Sequence, residues 1–171
     1  FSQNASFIGV VRNEAGNALG DMTVQAYNPA GFPVTALTDS QGRYLLVVSP
    51  GTYRLVAYDN AGNYAVNFHG DANSFETSEA INVTAAQQVT VNFTLQPGRP
   101  VRGIVRTTTS VPLEGAVVAA YNLDGSRRTF VTTNSDGTYT LTVPPGSYKI
   151  VAYHERSPYI PVFHRNQRLS D

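Results

Sequence analysis

The sequence predicts an all-β fold of two tandem antiparallel β-sandwiches, and three observations carry that expectation. The chain repeats itself with a period of roughly 95 residues. Asp39-Ser40-Gln41-Gly42-Arg43-Tyr44 returns as Asn134-Ser135-Asp136-Gly137-Thr138-Tyr139, and Ser49-Pro50-Gly51-Thr52-Tyr53 returns as Pro144-Pro145-Gly146-Ser147-Tyr148. All 10 tyrosines pair across that period: Tyr27 with Tyr121, Tyr44 with Tyr139, Tyr53 with Tyr148, Tyr58 with Tyr153 and Tyr64 with Tyr159. Finally, no segment keeps a helical apolar period over three turns, whereas short runs alternate apolar and polar residues, as a half-buried strand does.

In chain order, residues 1–11 precede or begin the first strand, with Phe1, Phe7 and Val10 among their apolar side chains. Residues 39–42 then read as a hairpin-like turn in which Gly42 supplies the left-handed position, and residues 134–137 do the same with Gly137. Pro50-Gly51 and Pro145-Gly146 mark a second turn, where Pro presets one dihedral and Gly relieves the next. After it, Tyr53, Leu55 and Ala57 alternate with Arg54, Val56 and Tyr58; Tyr148, Ile150 and Ala152 alternate with Lys149, Val151 and Tyr153. The basic residue falls on the outer face both times, so register is reproduced along with residue type. Residues 80–83 read as a further strand. In residues 89–95 the odd positions are apolar and the even ones polar, which predicts one continuous strand with Val91, Phe93 and Leu95 inward.

The first module is accordingly expected over residues 1–96 with a core at 7–95, followed by a stiff linker at 97–100. The second is expected over 101–171, and it stops where Glu76 stands in the first, so it lacks its final strands within this chain. Two explanations stand side by side: a chain cut short with more modules downstream, or a strand donated by another subunit, for which residues 1–11 are the candidate donor.

Modules of this size bury a core unaided. That matters because there is no cysteine for a disulfide or a thiolate metal site. Twelve basic and twelve acidic residues cancel, at 14% charged overall, so neither nucleic acid nor an anionic membrane surface is an expected partner. Arg99, Arg102 and Arg106 cluster locally and read as a solvated edge. No apolar run approaches membrane-spanning length, and Phe1-Ser2-Gln3-Asn4 does not read as a signal peptide. The composition, rich in Thr, Val, Asn, Gly and Tyr, fits an extracellular or cell-surface protein.

The succession Gly9-Val10-Val11, Gly16-Asn17-Ala18-Leu19, residues 39–44 and Pro50-Gly51-Thr52-Tyr53 resembles the carboxypeptidase regulatory-like domain. Gly103-Ile104-Val105, Leu113-Glu114-Gly115-Ala116, residues 134–139 and Pro145-Gly146-Ser147-Tyr148 repeat the match. The resemblance implies two transthyretin-like, seven-stranded sandwiches. It implies no particular activity, since such modules accompany secreted peptidases, transporter plugs, adhesins and surface-layer or stalk proteins. A related family of pilin domains crosslinks Lys to Asn. Here the first module has no lysine and the second has only Lys149, expected to point outward, so that chemistry is rejected.

Candidate sites are few, and no catalytic, cofactor or metal residue is assigned. His69 and His164 match each other and read as a repeated structural position; His154 reads as a surface residue. Asn134-Ser135-Asp136-Gly137 has half the oxygen donors of a calcium loop but no bidentate Glu follows, so the turn reading is preferred. Asp71, Glu76 and Glu79 form a weaker oxygen cluster. No nucleophile-elbow, zinc-protease or phosphate-loop motif occurs. Tyr58 and Tyr153, outward by alternation, are the candidate contacts for carbohydrate or for a neighbouring module. Asn4, Asn82 and Asn92 head Asn-x-Ser/Thr sequons, with Asn82 and Asn92 expected at the surface. The expected function is non-catalytic and structural, in a stalk, surface layer or filament, with self-association or neighbouring modules as partners. The alternatives are an accessory module of a larger secreted enzyme and a carbohydrate- or surface-binding adhesin module.

Overall fold

Short alternating runs punctuated by Gly and Pro make strands, and no helix occurs among the described residues. The computed structural model describes residues 3–29 and 31–154, together with the backbone of 162–163. The chain divides into two compact units, Phe1–Pro97 and Gly98–Asp171.

In the first unit one sheet holds β1 (Ala5–Asn13), β4 (Arg43–Val48), β8 (Gln88–Thr90) and β9 (Phe93–Leu95). The other holds β2 (Thr23–Tyr27), β3 (Val34–Leu37), β5 (Gly51–Tyr58), β6 (Asn67–Phe68) and β7 (Ala80–Val83). β1 is central. It pairs antiparallel with β4 on one side and with β8 and β9 on the other.

Two expectations are corrected here. The sandwich is not wholly antiparallel, because β8 and β9 run parallel to β1, joining Ser6 to Gln88 and Val11 to Phe93. Residues 89–95 also break at Val91 and Asn92 rather than forming one strand. The alternation itself survives the break: Val91, Phe93 and Leu95 are buried, and they close the core over Phe7, Val11, Tyr44, Leu46, Tyr53 and Leu55.

Both predicted turns do more than join neighbours in one sheet. Residues 39–42 carry the chain from β3 to β4, and Pro50-Gly51 from β4 to β5, so each crosses between the two sheets. Turn chemistry fixes a tight reversal but not which strand pairs with which. The linker also is shorter than expected, because β10 (Arg99–Ile104) already includes Pro100.

The outer face of β5 is less open than alternation implied. Val56 is buried, and β6 pairs at its backbone through Phe68. The Phe75 ring meets Phe68 and Tyr27 edge-on at 6.5 and 5.0 Å. Residues after β6 thus bring a small aromatic layer to that face.

The second unit reuses the plan. β10 pairs antiparallel with β13 (Thr138–Val143), as β1 does with β4. β11 (Val117–Tyr121), β12 (Arg127–Thr132), β14 (Lys149–Tyr153) and β15 (Val162–Phe163) take the places of β2, β3, β5 and β6. Among the described residues β10 has β13 as its only partner strand, whereas β1 is paired along both edges.

Candidate functional site

The polar groups that recur in both modules build turns. In the first, Asp39 Oδ1 accepts from the backbone N–H groups of Gln41 and Arg43, both at 2.9 Å, and Oδ2 accepts from Arg43 Nε at 2.9 Å. In the second the carboxylate has moved two residues along: Asp136 Oδ1 accepts from Thr138 N at 2.9 Å and from its hydroxyl at 2.6 Å. Those hydrogen bonds hold both carboxyls below the usual range, the Arg43 backbone bond being the largest cause for Asp39 and the Thr138 side-chain bond for Asp136. In the half calcium loop, Asp136 Oδ1 is thus committed to the turn. Among the described residues no three His, Asp or Glu side chains converge as metal ligands.

A matched pair that sequence reasoning missed lies just before these turns. Thr38 and Thr133 are buried. The Thr38 hydroxyl donates to the Leu19 carbonyl at 2.7 Å and accepts from Met22 N at 2.9 Å. The Thr133 hydroxyl donates to the Leu113 carbonyl and accepts from Ala116 N in the same way. The available signal was a threonine preceding Asp39 and Asn134 at equivalent positions.

The predicted contact residues scatter. Tyr58 and Tyr153 are both half-buried and stand at strand ends. Asn4, Asn82 and Asn92 are exposed, as expected for Asn82 and Asn92. Asn92 also has a structural task, since its Oδ1 accepts from Val10 N at 2.9 Å and bridges the break between β8 and β9. Lys149 is exposed. His69 is mostly buried with Nε2 3.8 Å from Glu79 Oε2, and Asp71 accepts weakly from Asn67 at 3.4 Å. His154 is half-buried rather than on the surface and faces Gly115. His164, Tyr159 and Phe1 lie outside the described residues. Phe7 and Val10 sit in β1, and Phe7 is fully buried. As a donor, that segment would have to leave a strand already paired on both sides, which disfavours a donor role for it.

Among the described residues the two copies also differ at the first strand of each. A Cβ on Gly9 would fall 1.8 Å from the Val91 carbonyl oxygen. Only glycine admits that carbonyl, which accepts a 2.6 Å hydrogen bond from the buried Tyr44 hydroxyl. Burial pushes the Tyr44 phenol well above its ordinary range. In the second module Gly103 and Tyr139 hold the equivalent positions. There the Tyr139 hydroxyl itself lies over the glycine, 2.7 Å from where a Cβ would stand. Among the described residues that hydroxyl has no hydrogen-bond partner. Val101, Tyr139, Tyr148 and Ile150 are half-buried, whereas Phe7, Tyr44, Tyr53 and Leu55 are 0, 5, 5 and 0% exposed.

Backbone direction completes the geometry of this edge. Odd residues of β10 turn their polar groups toward β13, as the bond from Val105 N to the Gly137 carbonyl indicates. Pro100, Arg102 and Ile104 face the other way. Their counterparts in β1 bond β8 and β9: Ser6 N to the Gln87 carbonyl, and the Ile8 carbonyl to Val91 N. Pro100 brings no N–H, a feature that blunts an edge strand.

A family comparison agrees with the two-module division. The carboxypeptidase regulatory-like domain model matches residues 6–96 and 100–158. No curated protein matches the chain. Among solved structures, the Bacillus anthracis TIE protein is 14% identical with a TM-score of 0.45, over 99% of this chain and 32% of its own. A streptococcal ancillary pilin is 15% identical with a TM-score of 0.40, over 99% of this chain and 60% of its own. The shaft pilin SpaA from Lactobacillus rhamnosus GG is 12% identical with a TM-score of 0.37, over 95% and 93%. The chain thus spans about a third of the first of these proteins and 60% of the second. With both of its modules matched in tandem, the chain belongs to the carboxypeptidase regulatory-like domain family.

Proposed function

We propose that this chain is a non-catalytic structural segment of an extracellular or cell-surface protein, part of a stalk, surface layer or filament. The observation that supports this most is how its chemistry-bearing side chains are used. Asp39 and Asp136 close turns, Thr38 and Thr133 pin loops, and Tyr44 and Tyr53 donate to the backbone carbonyls of Val91 and Ser49. Groups held in this way stiffen a sandwich and are poorly placed to attack a substrate. The mechanism is mechanical: hydrogen-bonded sheets resist extension, and a Pro-containing junction connects them.

In the finer form of this reading a strand from a neighbouring chain pairs with the second module and joins subunits by main-chain hydrogen bonds. The edge of β10, with β13 as its only partner among the described residues, supports it. Electron microscopy of the purified native material is expected to show fibres or ordered arrays. Isolated, unassociated particles at high concentration would count against it. Asn4, Asn82 and Asn92 are offered as glycan acceptors, and intact-mass measurement before and after deglycosylation tests that assignment.

A further inference from the structure

We propose that the seam between β1 and the β8–β9 segment is a load-bearing shear clamp, latched by the Val91 carbonyl. Tension applied along the first module is carried at this seam, and the rest of the module is shielded from it. The inference rests on the structural reading above and deepens it by naming the load path and the residues that hold it.

Direction decides how a strand pair fails. β1 begins at Ala5, and β9 ends at Leu95, which lies opposite Asn13 at the far end of β1. Because the strands run parallel, a pull on the chain before Ala5 and after Leu95 acts at opposite ends of one seam. Its hydrogen bonds are then loaded together, whereas a pair peeled from one end loses them one after another. Tension also crosses from β1 into β9 directly and bypasses β2 to β7.

The seam stays in register across the break at Val91 and Asn92. Ser6 stands opposite Gln88 and Asn13 opposite Leu95, so both halves keep the same offset. Ser6 N donates to the Gln87 carbonyl at 2.9 Å, and Val91 N donates to the Ile8 carbonyl at 2.8 Å. Val10 N donates to Asn92 Oδ1 at 2.9 Å, so a side chain supplies the acceptor at the break.

The latch is steric as well as hydrogen-bonded. The Val91 carbonyl oxygen lies 1.8 Å from where a Cβ on Gly9 would stand, and Tyr44 donates to it at 2.6 Å from the strand on the other side of β1. Phe7 and Val11, the next inward residues of β1, are fully buried and flank that notch. Sliding β8–β9 along β1 by two residues in either direction would drive the carbonyl against one of their Cβ atoms. The carbonyl must instead be lifted out of the notch, which breaks the Tyr44 bond. Tyr53 offers a comparison off the seam, because its hydroxyl donates to the Ser49 carbonyl at 2.9 Å in the same module.

The chain has no cysteine, so two introduced thiols define where force is applied. On the whole chain, Gln3→Cys with Gln96→Cys loads the seam in shear, and Gln3→Cys with Ala85→Cys peels it from one end; all three positions are exposed. In optical-tweezers measurements the shear pair is expected to unfold at several-fold higher force than the peeling pair. Forced unfolding is governed by the unfolding rate. At constant force, Tyr44→Phe and Asn92→Ala should each speed unfolding about tenfold in shear. In peeling, where the barrier is crossed before the latch is reached, each should change the rate less than about twofold. Tyr53→Phe should leave the shear rate within about twofold, since its bond persists at the barrier. Equal unfolding forces in the two geometries would overturn the clamp. So would a shear rate raised as much by Tyr53→Phe as by Tyr44→Phe, or one unchanged by both Tyr44→Phe and Asn92→Ala. Isolated particles in native material, together with a seam strong in shear, would refute the stalk or filament role and keep the clamp. Fibres or arrays with a seam no stronger in shear than in peeling would do the reverse.

Discussion

Tyr44 and Tyr139 occupy one position of a repeated sequence, yet their hydroxyls have different surroundings. Tyr44→Phe leaves the buried Val91 carbonyl without its donor, which costs about 2 kcal/mol. Tyr139→Phe removes a hydroxyl with no partner among the described residues and should change stability by less than about 0.5 kcal/mol. Residue-resolved hydrogen exchange, which reads each module separately, checks the contrast; equal losses would refute it. Gly9 belongs to the same device. Its replacement by Ala sets a Cβ against a backbone carbonyl, not against a side chain that can swing away, and should cost about 3 kcal/mol. The loss should centre on β8 and β9.

The turns between the sheets carry the pH dependence of the two strand pairs that they place. Asp39 and Asp136 have carboxyls held below their ordinary range, so each adds stability above the ordinary Asp pKa, near 4. That contribution is lost as pH falls through the lowered folded value. Asp39→Asn should therefore flatten the acid side of the first module's stability profile, and Asp136→Asn that of the second. Chemical denaturation between pH 2 and 6 checks this. A profile unchanged by either substitution would mean that the turns hold without their charges. These turns were legible in the sequence because Asp, Gly and Pro act locally. What they connect was not legible, since a crossing between sheets looks like a hairpin until partners are known. The parallel run of β8 and β9 beside β1 was hidden for the same reason: alternation reports which face of a strand is buried and is silent about its neighbour. Gly9 was visible as a glycine within a strand, but a carbonyl from residue 91 as its occupant depends on a long-range pairing.

At the scale of the whole molecule the repeat fixed the number of modules but concealed how unequal they are. Each unit has its own core. Among the described residues the first closes with Val83, Val91, Phe93 and Leu95 over the tyrosines, while in the second Ala120, Leu141 and Val143 cluster with half-buried Val101, Tyr139, Tyr148 and Ile150 around them. Apolar burial stabilises by about 25 cal/mol per Å², so the second module should be the weaker. Unfolding is therefore expected in two steps, with β10 to β14 exchanging their amides at lower denaturant than β1 to β9. The physical reason is specific: two copies of one sequence pattern differ in stability when one has its closing strand and the other lacks it among the described residues. A protein that opened in a single step, with one exchange free energy shared by Leu46 and Leu141, would show that the two cores are coupled.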